Sequence, residues 1–358
     1  MKILHVITSL RTGGAEKLMI ELLPRLKEYG YEVDLLLFDG TDTAFRRDAE
    51  SSGIKVMELG KGGSVYSPIK LFKLFSYLKK YDVVHTHNTA PQFFAAISSI
   101  FHHVLLCTTE HSTSNRRRKL KWYAPIDKWM YSRYRKVICI SDKAEENLRS
   151  YIGKSRSEII TINNGVDVAK FTSAIASTEL EEISPACKKM LMVAGFRWEK
   201  DQDTIIRSMP LLPDYFHLFL IGDGVRRLDC ESLTRQLNVS ERVHFLGVRS
   251  DVAELLKSAD FVLISSHFEG LSLSSIEGMS VGKPFIASNV DGLREVVSGA
   301  GCLFPHGDAN ALADTILRLS ENEEEYNAVS SLCRERASQY DIASMVNGYI
   351  NCYKSLFT

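Results

Sequence analysis

Short apolar runs rich in β-branched residues alternate with amphipathic stretches through both halves of the chain, and this alternation constrains the fold most. Consecutive parallel strands cannot be joined by a tight turn. They need a crossover, usually a helix, so the pattern reads as parallel α/β layers. Strands are expected over residues 3–8, 33–38, 55–59, 83–87, 104–108 and 137–141, and again over 189–193, 217–221, 243–245, 261–265, 284–287 and 302–304. Helical patterns include 15–29, 143–151, 228–237, 252–258, 274–281 and 309–320, and 338–356 reads as a last helix. A chain of 358 residues exceeds what one hydrophobic core usually serves. Residues 171–186 lack periodicity and separate the two series. The expected division is a domain over 1–170, a linker over 171–187 and a second domain over 188–338. Two doubly wound halves of this kind face each other across a cleft, with ligands beyond the carboxyl ends of the strands.

Composition narrows the function classes. The chain is 45% apolar and 25% charged, as ordinary soluble globular proteins are. Its net charge is zero but unevenly placed: residues 1–168 hold 26 Lys and Arg against 18 Asp and Glu, and the remainder reverses that ratio. The first half therefore suits an anionic surface or ligand. Seven dispersed cysteines without a Cys-x-x-Cys pair argue against a disulfide framework or zinc site and for a reducing compartment. No apolar run approaches the roughly 18–20 residues of a membrane helix. The opening Met1-Lys-Ile-Leu-His-Val-Ile is too short for a signal peptide's apolar core. The expectation is a cytoplasmic protein, soluble or held at a membrane surface.

Several loops carry candidate chemistry. Gly13-Gly14-Ala-Glu follows the first strand and opens a helix, where backbone N–H groups and the helix dipole favour an anion. The same residues also suit a plain turn. Arg197 and Lys200 follow the first strand of the second half, the arginine as a planar fork and the lysine as a point charge for a diphosphate, or both as solvated loop cations. Glu269 and Glu277 stand eight positions apart across a strand, a glycine-bearing turn and a helix. Carboxylates accept and hydroxyls donate, so the pair can hold hydroxyls at two ends of one ligand.

His85 and His87 in Asp82-Val-Val-His-Thr-His give a weak metal signal, since no third ligand is near in sequence. His85 reads rather as packed near a strand end. His111 lies beyond a strand, where it either touches substrate or packs. Over 115–136, Arg116-Arg117-Arg118-Lys119 and five further cations are interleaved with Trp122, Tyr123, Trp129, Tyr131 and Tyr134. Such a stretch suits an anionic bilayer surface, or a solvated basic helix. It carries no nucleic-acid motif. Gly222-Asp-Gly reads as a turn, and Gly247-Val248-Arg as a loop that can offer backbone groups to a base.

Taken in order, Gly13-Gly-Ala-Glu, Asp82-Val-Val-His-Thr-His, Ile140-Ser, Asn163-Asn-Gly-Val-Asp, Gly222-Asp-Gly, Phe245-Leu-Gly and Glu269 through Glu277 resemble the retaining glycosyltransferases of family 4, along nearly the whole chain. The resemblance implies the GT-B fold: two Rossmann-like domains across a cleft, the first completed by a terminal helix over 339–358. It implies sugar transfer from a UDP- or GDP-linked donor with retained anomeric configuration, with no cofactor and no essential metal. The acceptor expected is a lipid-linked saccharide, in cell-surface polysaccharide or glycolipid synthesis, which would account for the basic first half. Gly13 and Gly14 would then meet the diphosphate, with Lys200 and Arg197 opposite. Glu277 would hold the ribose diol, and Glu269 with Gly270 and Leu271 the donor sugar. Val248 would lie by the base, and His111 near donor sugar and acceptor.

Three positions depart from that pattern. Gly195 stands where the family usually has arginine, and Arg197 can supply the charge instead. Ser272 and Asp291 stand where proline is common. The alternatives are a nucleotide-sugar epimerase of the same fold and a non-catalytic nucleotide-sugar-binding partner subunit.

Overall fold

The strand–helix alternation resolves, in a computed structural model describing residues 1–11, 13–111, 118 and 120–357, into two separate parallel sheets. The first holds β1 (Lys2–Ile7), β2 (Glu32–Leu37), β3 (Lys55–Glu58), β4 (Val83–His87), β5 (Leu105–Glu110), β6 (Lys136–Cys139) and β7 (Glu158–Thr161). The second holds β8 (Lys188–Val193), β9 (Phe216–Ile221), β10 (Val243–Gly247), β11 (Phe261–Ile264), β12 (Phe285–Ser288) and β13 (Cys302–Phe304). The chain divides into one compact unit of residues 1–164 with 345–358 and another of residues 165–344.

Both sheets reverse direction at one point. Their orders are β3-β2-β1-β4-β5-β6-β7 and β10-β9-β8-β11-β12-β13. The chain winds outward one way from β1 or β8, then crosses to β4 or β11 and winds the other way. Loops leaving adjacent strands on either side of such a switch diverge and open a crevice at the carboxyl ends. In the first unit these are the loops after β1 and β4, and in the second those after β8 and β11.

Alternation along the strands explains why the runs are continuously apolar. Leu191, Val262, Ile264, Phe285 and Ala287 enter one core layer of the second unit. Met190, Met192, Phe261, Leu263 and Ile286 enter the layer on the other face. A parallel sheet buried on both faces needs this. Gly278, in the helix Leu273–Ser280, closes the first of these layers: a Cβ there would stand 2.7 Å from Phe285 Cε2 and 2.8 Å from Val262 Cγ1.

Two expectations are corrected. The first sheet has a further strand, β7, on its edge beside β6. It is short and its Glu158 is exposed, so the apolar signal is confined to a few residues. Residues 171–187 are not a bare linker. Short helices Val168–Thr172 and Glu179–Ile183 place Phe171 and fully buried Leu180 in the second unit's core. Single apolar anchors among Ser, Thr and Glu leave no periodicity to read.

Candidate active site

The loop after β8 is held in a strained but well-anchored shape. Asp201 has φ of +40°, a region unfavourable for a residue with a Cβ. Its Oδ2 accepts hydrogen bonds from Thr204 Oγ1 at 2.7 Å and Ser265 Oγ at 2.8 Å. The second bond ties this loop to the residue just beyond β11, across the switch point. Lys200, preceding Asp201, is thereby brought to Glu269, and the two form a salt bridge. Both are largely buried, at 21% and 11% side-chain exposure, which strengthens the attraction over that of a surface pair. Ser266 Oγ donates to the same Glu269 oxygen at 2.9 Å.

Arg197 is exposed, and its guanidinium folds back over Gly195: a Cβ there would lie 3.5 Å from Arg197 Nε. The cation thus occupies space beside the very position where the family pattern has its arginine. Glu269 N–H donates to Asp291 O at 3.3 Å, and Gly270 is open on its Cβ side. Leu271 is half-buried, and Glu277 is buried on the second turn of the helix Leu273–Ser280. Val248 is 79% exposed at the end of β10, beside Gly247, whose carbonyl accepts from Gly222 N–H at 2.8 Å. The loops leaving β8, β10, β11 and β12 therefore all contribute predicted residues or hold them.

Sequence reasoning missed neighbours that complete this region. Trp198 packs on His267 with ring centroids 4.3 Å apart, and His267 Nδ1 lies 2.6 Å from His306 Nε2. Asp201, His267 and His306 bring ligand-type atoms within 4.8 Å of one another. The His267 nitrogens are turned to different partners, however: Nδ1 to His306, and Nε2 toward Asp201 Oδ1 at 4.0 Å. Only Ser266, next to Glu269, could have been suspected from sequence.

In the first unit, Gly13 is extended and caps the helix Gly14–Glu28, and the Cβ side of Gly14 is open. A Cβ on Gly13 would overlap the Glu16 carboxylate, whose pKa burial raises against hydrogen bonds from its own backbone and Asn88. His85 is not at a strand end in isolation. The register of β1 with β4 sets His5 beside it, and His5, His85 and His87 lie within 4.8 Å as a possible ligand set. The missing third histidine was 80 residues away in sequence. His87 Nδ1 lies 2.9 Å from His111 Nε2, so His111 continues that cluster. Burial pushes the His5 pKa down to about 3 and that of His111 to about 4, the latter opposed by Glu110. Burial likewise drives His85 and His87 well below the usual range, with neighbouring histidines adding to it.

The basic stretch is corrected in part. Arg118 turns inward: its Nη2 donates to buried Glu110 Oε2 at 2.9 Å, and its side chain is 10% exposed. Tyr131 and Tyr134 are core residues. A carboxylate buried at the end of β5 needs a counter-charge, which outweighs any surface role for this arginine. Arg116, Arg117 and Lys119 lie outside the described residues.

Two family profiles match successive parts of the chain: "Glycosyltransferase Family 4" over residues 12–170 and "Glycosyl transferases group 1" over residues 180–336. The chain belongs to glycosyltransferase family 4. The transferase is 25% identical over 370 aligned positions to the UDP-Gal:alpha-D-GlcNAc-diphosphoundecaprenol alpha-1,3-galactosyltransferase of Escherichia coli, covering 98% of this chain and 93% of that one. It is 29% identical over 225 positions to the Campylobacter jejuni N,N'-diacetylbacillosaminyl-diphospho-undecaprenol alpha-1,3-N-acetylgalactosaminyltransferase, covering 60% of this chain and 59% of that one. Its fold is the GT-B type, and it superposes on Anabaena HepE in complex with UDP with a TM-score of 0.87 at 22% identity, over 99% of this chain and all of that one. Among the described residues of the transferase, no helix is long and apolar enough to cross a membrane.

Proposed function

We propose that the transferase moves a sugar from a UDP- or GDP-linked donor to a lipid-linked saccharide, with retention of configuration and without an essential metal. The observation that carries this reading is the Lys200–Glu269 pair at the second unit's switch point, a cation and a sugar-hydroxyl acceptor held together by Asp201 and Ser266. Lys200 and Arg197 stabilise charge on the departing diphosphate, the usual task of positioned electrostatics. Glu269, with the backbone of Gly270 and Leu271, holds the donor sugar. Glu277 holds the ribose diol, and Val248 lies against the base. From the first unit, Gly14 offers its N–H to an anion and His111 a ring nitrogen to a sugar hydroxyl. The full-length likeness to an undecaprenol-diphosphate galactosyltransferase supports the acceptor class and favours UDP.

The test is incubation with UDP- and GDP-sugars, with and without a polyprenyl-diphosphate sugar, in the presence and absence of EDTA. Acceptor-dependent release of nucleotide that survives EDTA, with an α-linked product from an α-linked donor, is expected. Release or isomerisation without acceptor supports an epimerase instead, and binding without turnover a partner subunit.

We also propose that the protein sits on the cytoplasmic face of an anionic membrane, through the helix Ala124–Ser132 and the turn before it. Trp122, in that turn, is 70% exposed, and Ile126 and Trp129, three positions apart on the helix, are exposed along with Lys128. Interfacial aromatics among cations suit that surface. Sedimentation with phosphatidylglycerol vesicles is expected to fall for Trp122→Ser with Trp129→Ser, and unchanged sedimentation would sink the idea.

A further inference from the structure

A line of hydrogen bonds runs through the first unit from the last helix to His111. Tyr353, in the helix Ile342–Lys354, places its hydroxyl 2.7 Å from His85 Nδ1 and 3.2 Å from His5 Nε2. His5 Nδ1 lies 3.0 Å from His87 Nε2, and His87 Nδ1 lies 2.9 Å from His111 Nε2. On the other branch, His85 Nε2 lies 2.8 Å from Thr109 Oγ1. His5, His85, His87 and Tyr353 are fully buried. At the open end, His111 Nδ1 is buried and has no hydrogen-bond partner among the described residues.

The lengths give the line a direction. A phenol has one proton to donate, and O–H donors bond within about 2.5–3.0 Å, whereas N–H donors reach out to about 3.2 Å. Tyr353 therefore donates to His85 Nδ1 over the short contact and accepts from His5 Nε2–H over the long one. His85, bare at Nδ1, carries its proton on Nε2 and donates to Thr109. A neutral imidazole has one N–H and one bare nitrogen, so each bond dictates the next. His5 is bare at Nδ1 and accepts from His87 Nε2–H. His87 is then bare at Nδ1 and accepts from His111 Nε2–H. Burial keeps all four rings neutral, as the alternation requires. The reverse alternation would need Tyr353 to donate across the longer contact.

We propose that Tyr353, acting through His5 and His87 as positioning residues, locks His111 in the Nε2–H tautomer and makes its buried Nδ1 a fixed hydrogen-bond acceptor for a sugar hydroxyl. The ligand half of this rests on the reading of His111 given above, whereas the tautomer half concerns the unliganded protein alone. A bare buried nitrogen accepts from a hydroxyl and repels another acceptor. The site would thus reject a sugar that presents a carbonyl or carboxylate oxygen there, as a buried polar group left unpaired costs affinity.

The test is nitrogen NMR of the full chain labelled with ¹⁵N-histidine, without ligand, on the native protein and on Tyr353→Phe. In the native protein, His111 Nδ1 is expected to show the shift of an unprotonated nitrogen and Nε2 that of a protonated one. Removing the phenol oxygen leaves His5 Nε2–H without an acceptor, so in Tyr353→Phe the line reverses and His111 becomes protonated on Nδ1. Affinity for UDP-galactose then falls about tenfold, the size of one lost hydrogen bond, while affinity for UDP is unchanged. A native spectrum with the proton on His111 Nδ1 overturns the proposal, and that measurement stands even if the variant does not fold. An unchanged His111 tautomer in Tyr353→Phe overturns it too. Tautomers that reverse as expected with no change in UDP-galactose affinity leave the lock standing and remove His111 from the sugar site.

Discussion

Gly292 passes directly beneath Gly270, so close that a Cβ at position 292 would overlap the Gly270 carbonyl oxygen and the carbonyl of Glu269. Its φ of +84° already demands glycine. The loop bearing Glu269 is therefore shaped by a residue on the loop after β12. Gly292→Ala is expected to cost about 2 kcal/mol from strain and clash together, and to lower activity at least tenfold by shifting Glu269. Gly307→Ala is the control: φ is +76° but no atom lies within 4 Å of the added carbon. It should lose about 1 kcal/mol with activity intact. Thermal unfolding and initial rates of both variants decide the matter; equal activity losses would deny Gly292 its role.

Lys200 and Glu269 satisfy one another in the unliganded protein, so each substitution strands the other's charge. Glu269→Gln and Lys200→Met should each destabilise, and a double-mutant cycle should return a coupling of about 1–2 kcal/mol. Activity should respond differently. Glu269→Gln is expected to raise KM for the sugar nucleotide while sparing affinity for the bare nucleotide, and Lys200→Met to lower kcat and nucleotide affinity together. Calorimetric titration with nucleotide and sugar nucleotide separates the two patterns.

Ser272 is a poor fit for its position. It precedes the helix Leu273–Ser280 with φ of −80°, makes no capping bond with its side chain, and its Oγ is buried without a partner among the described residues. Proline holds φ near this value and carries no hydroxyl to bury. Ser272→Pro is expected to raise stability by about 0.5–1 kcal/mol, chiefly by restricting the unfolded chain. A higher melting temperature with unchanged activity is the expected result, and a lower one would show that the Ser272 N–H or the Leu271 backbone cannot accept the ring.

The desolvated histidines predict how stability follows pH. Their folded pKa values are depressed by burial, to about 3 for His5, to about 4 for His111 and to about 4 for His244, with His85 and His87 also well below the usual range. Above the unfolded value of about 6.5 both states are neutral and stability is flat with pH. As pH falls below that value the unfolded chain takes up protons that the folded one refuses, so stability is lost toward pH 4. Each such group contributes at most about 1.4 kcal/mol per pH unit. Denaturant midpoints between pH 7.5 and 4.5 should fall steadily, and less steeply in His244→Gln; a flat profile would contradict the neutral buried cluster.

Much of this molecule was legible along the chain, and the rest depended on which strands become neighbours. Local sequence determined twelve of the strands, the glycine turn before the helix Gly14–Glu28, and the loops bearing Arg197, Lys200 and Glu269, because periodicity and turn chemistry act over a few residues. Tertiary structure alone decided that His5 joins His85 and His87, that Arg118 leaves the surface for Glu110, and that Lys200 and Glu269, 69 positions apart, share a bond. It also drew Phe171 and Leu180 of the expected linker into a core. The physical reason is common to these cases. In a parallel sheet every pairing is made across a crossover, so the partner of a polar side chain is set by strand order and register, and a histidine on β1 carries no local sign that β4 will lie beside it.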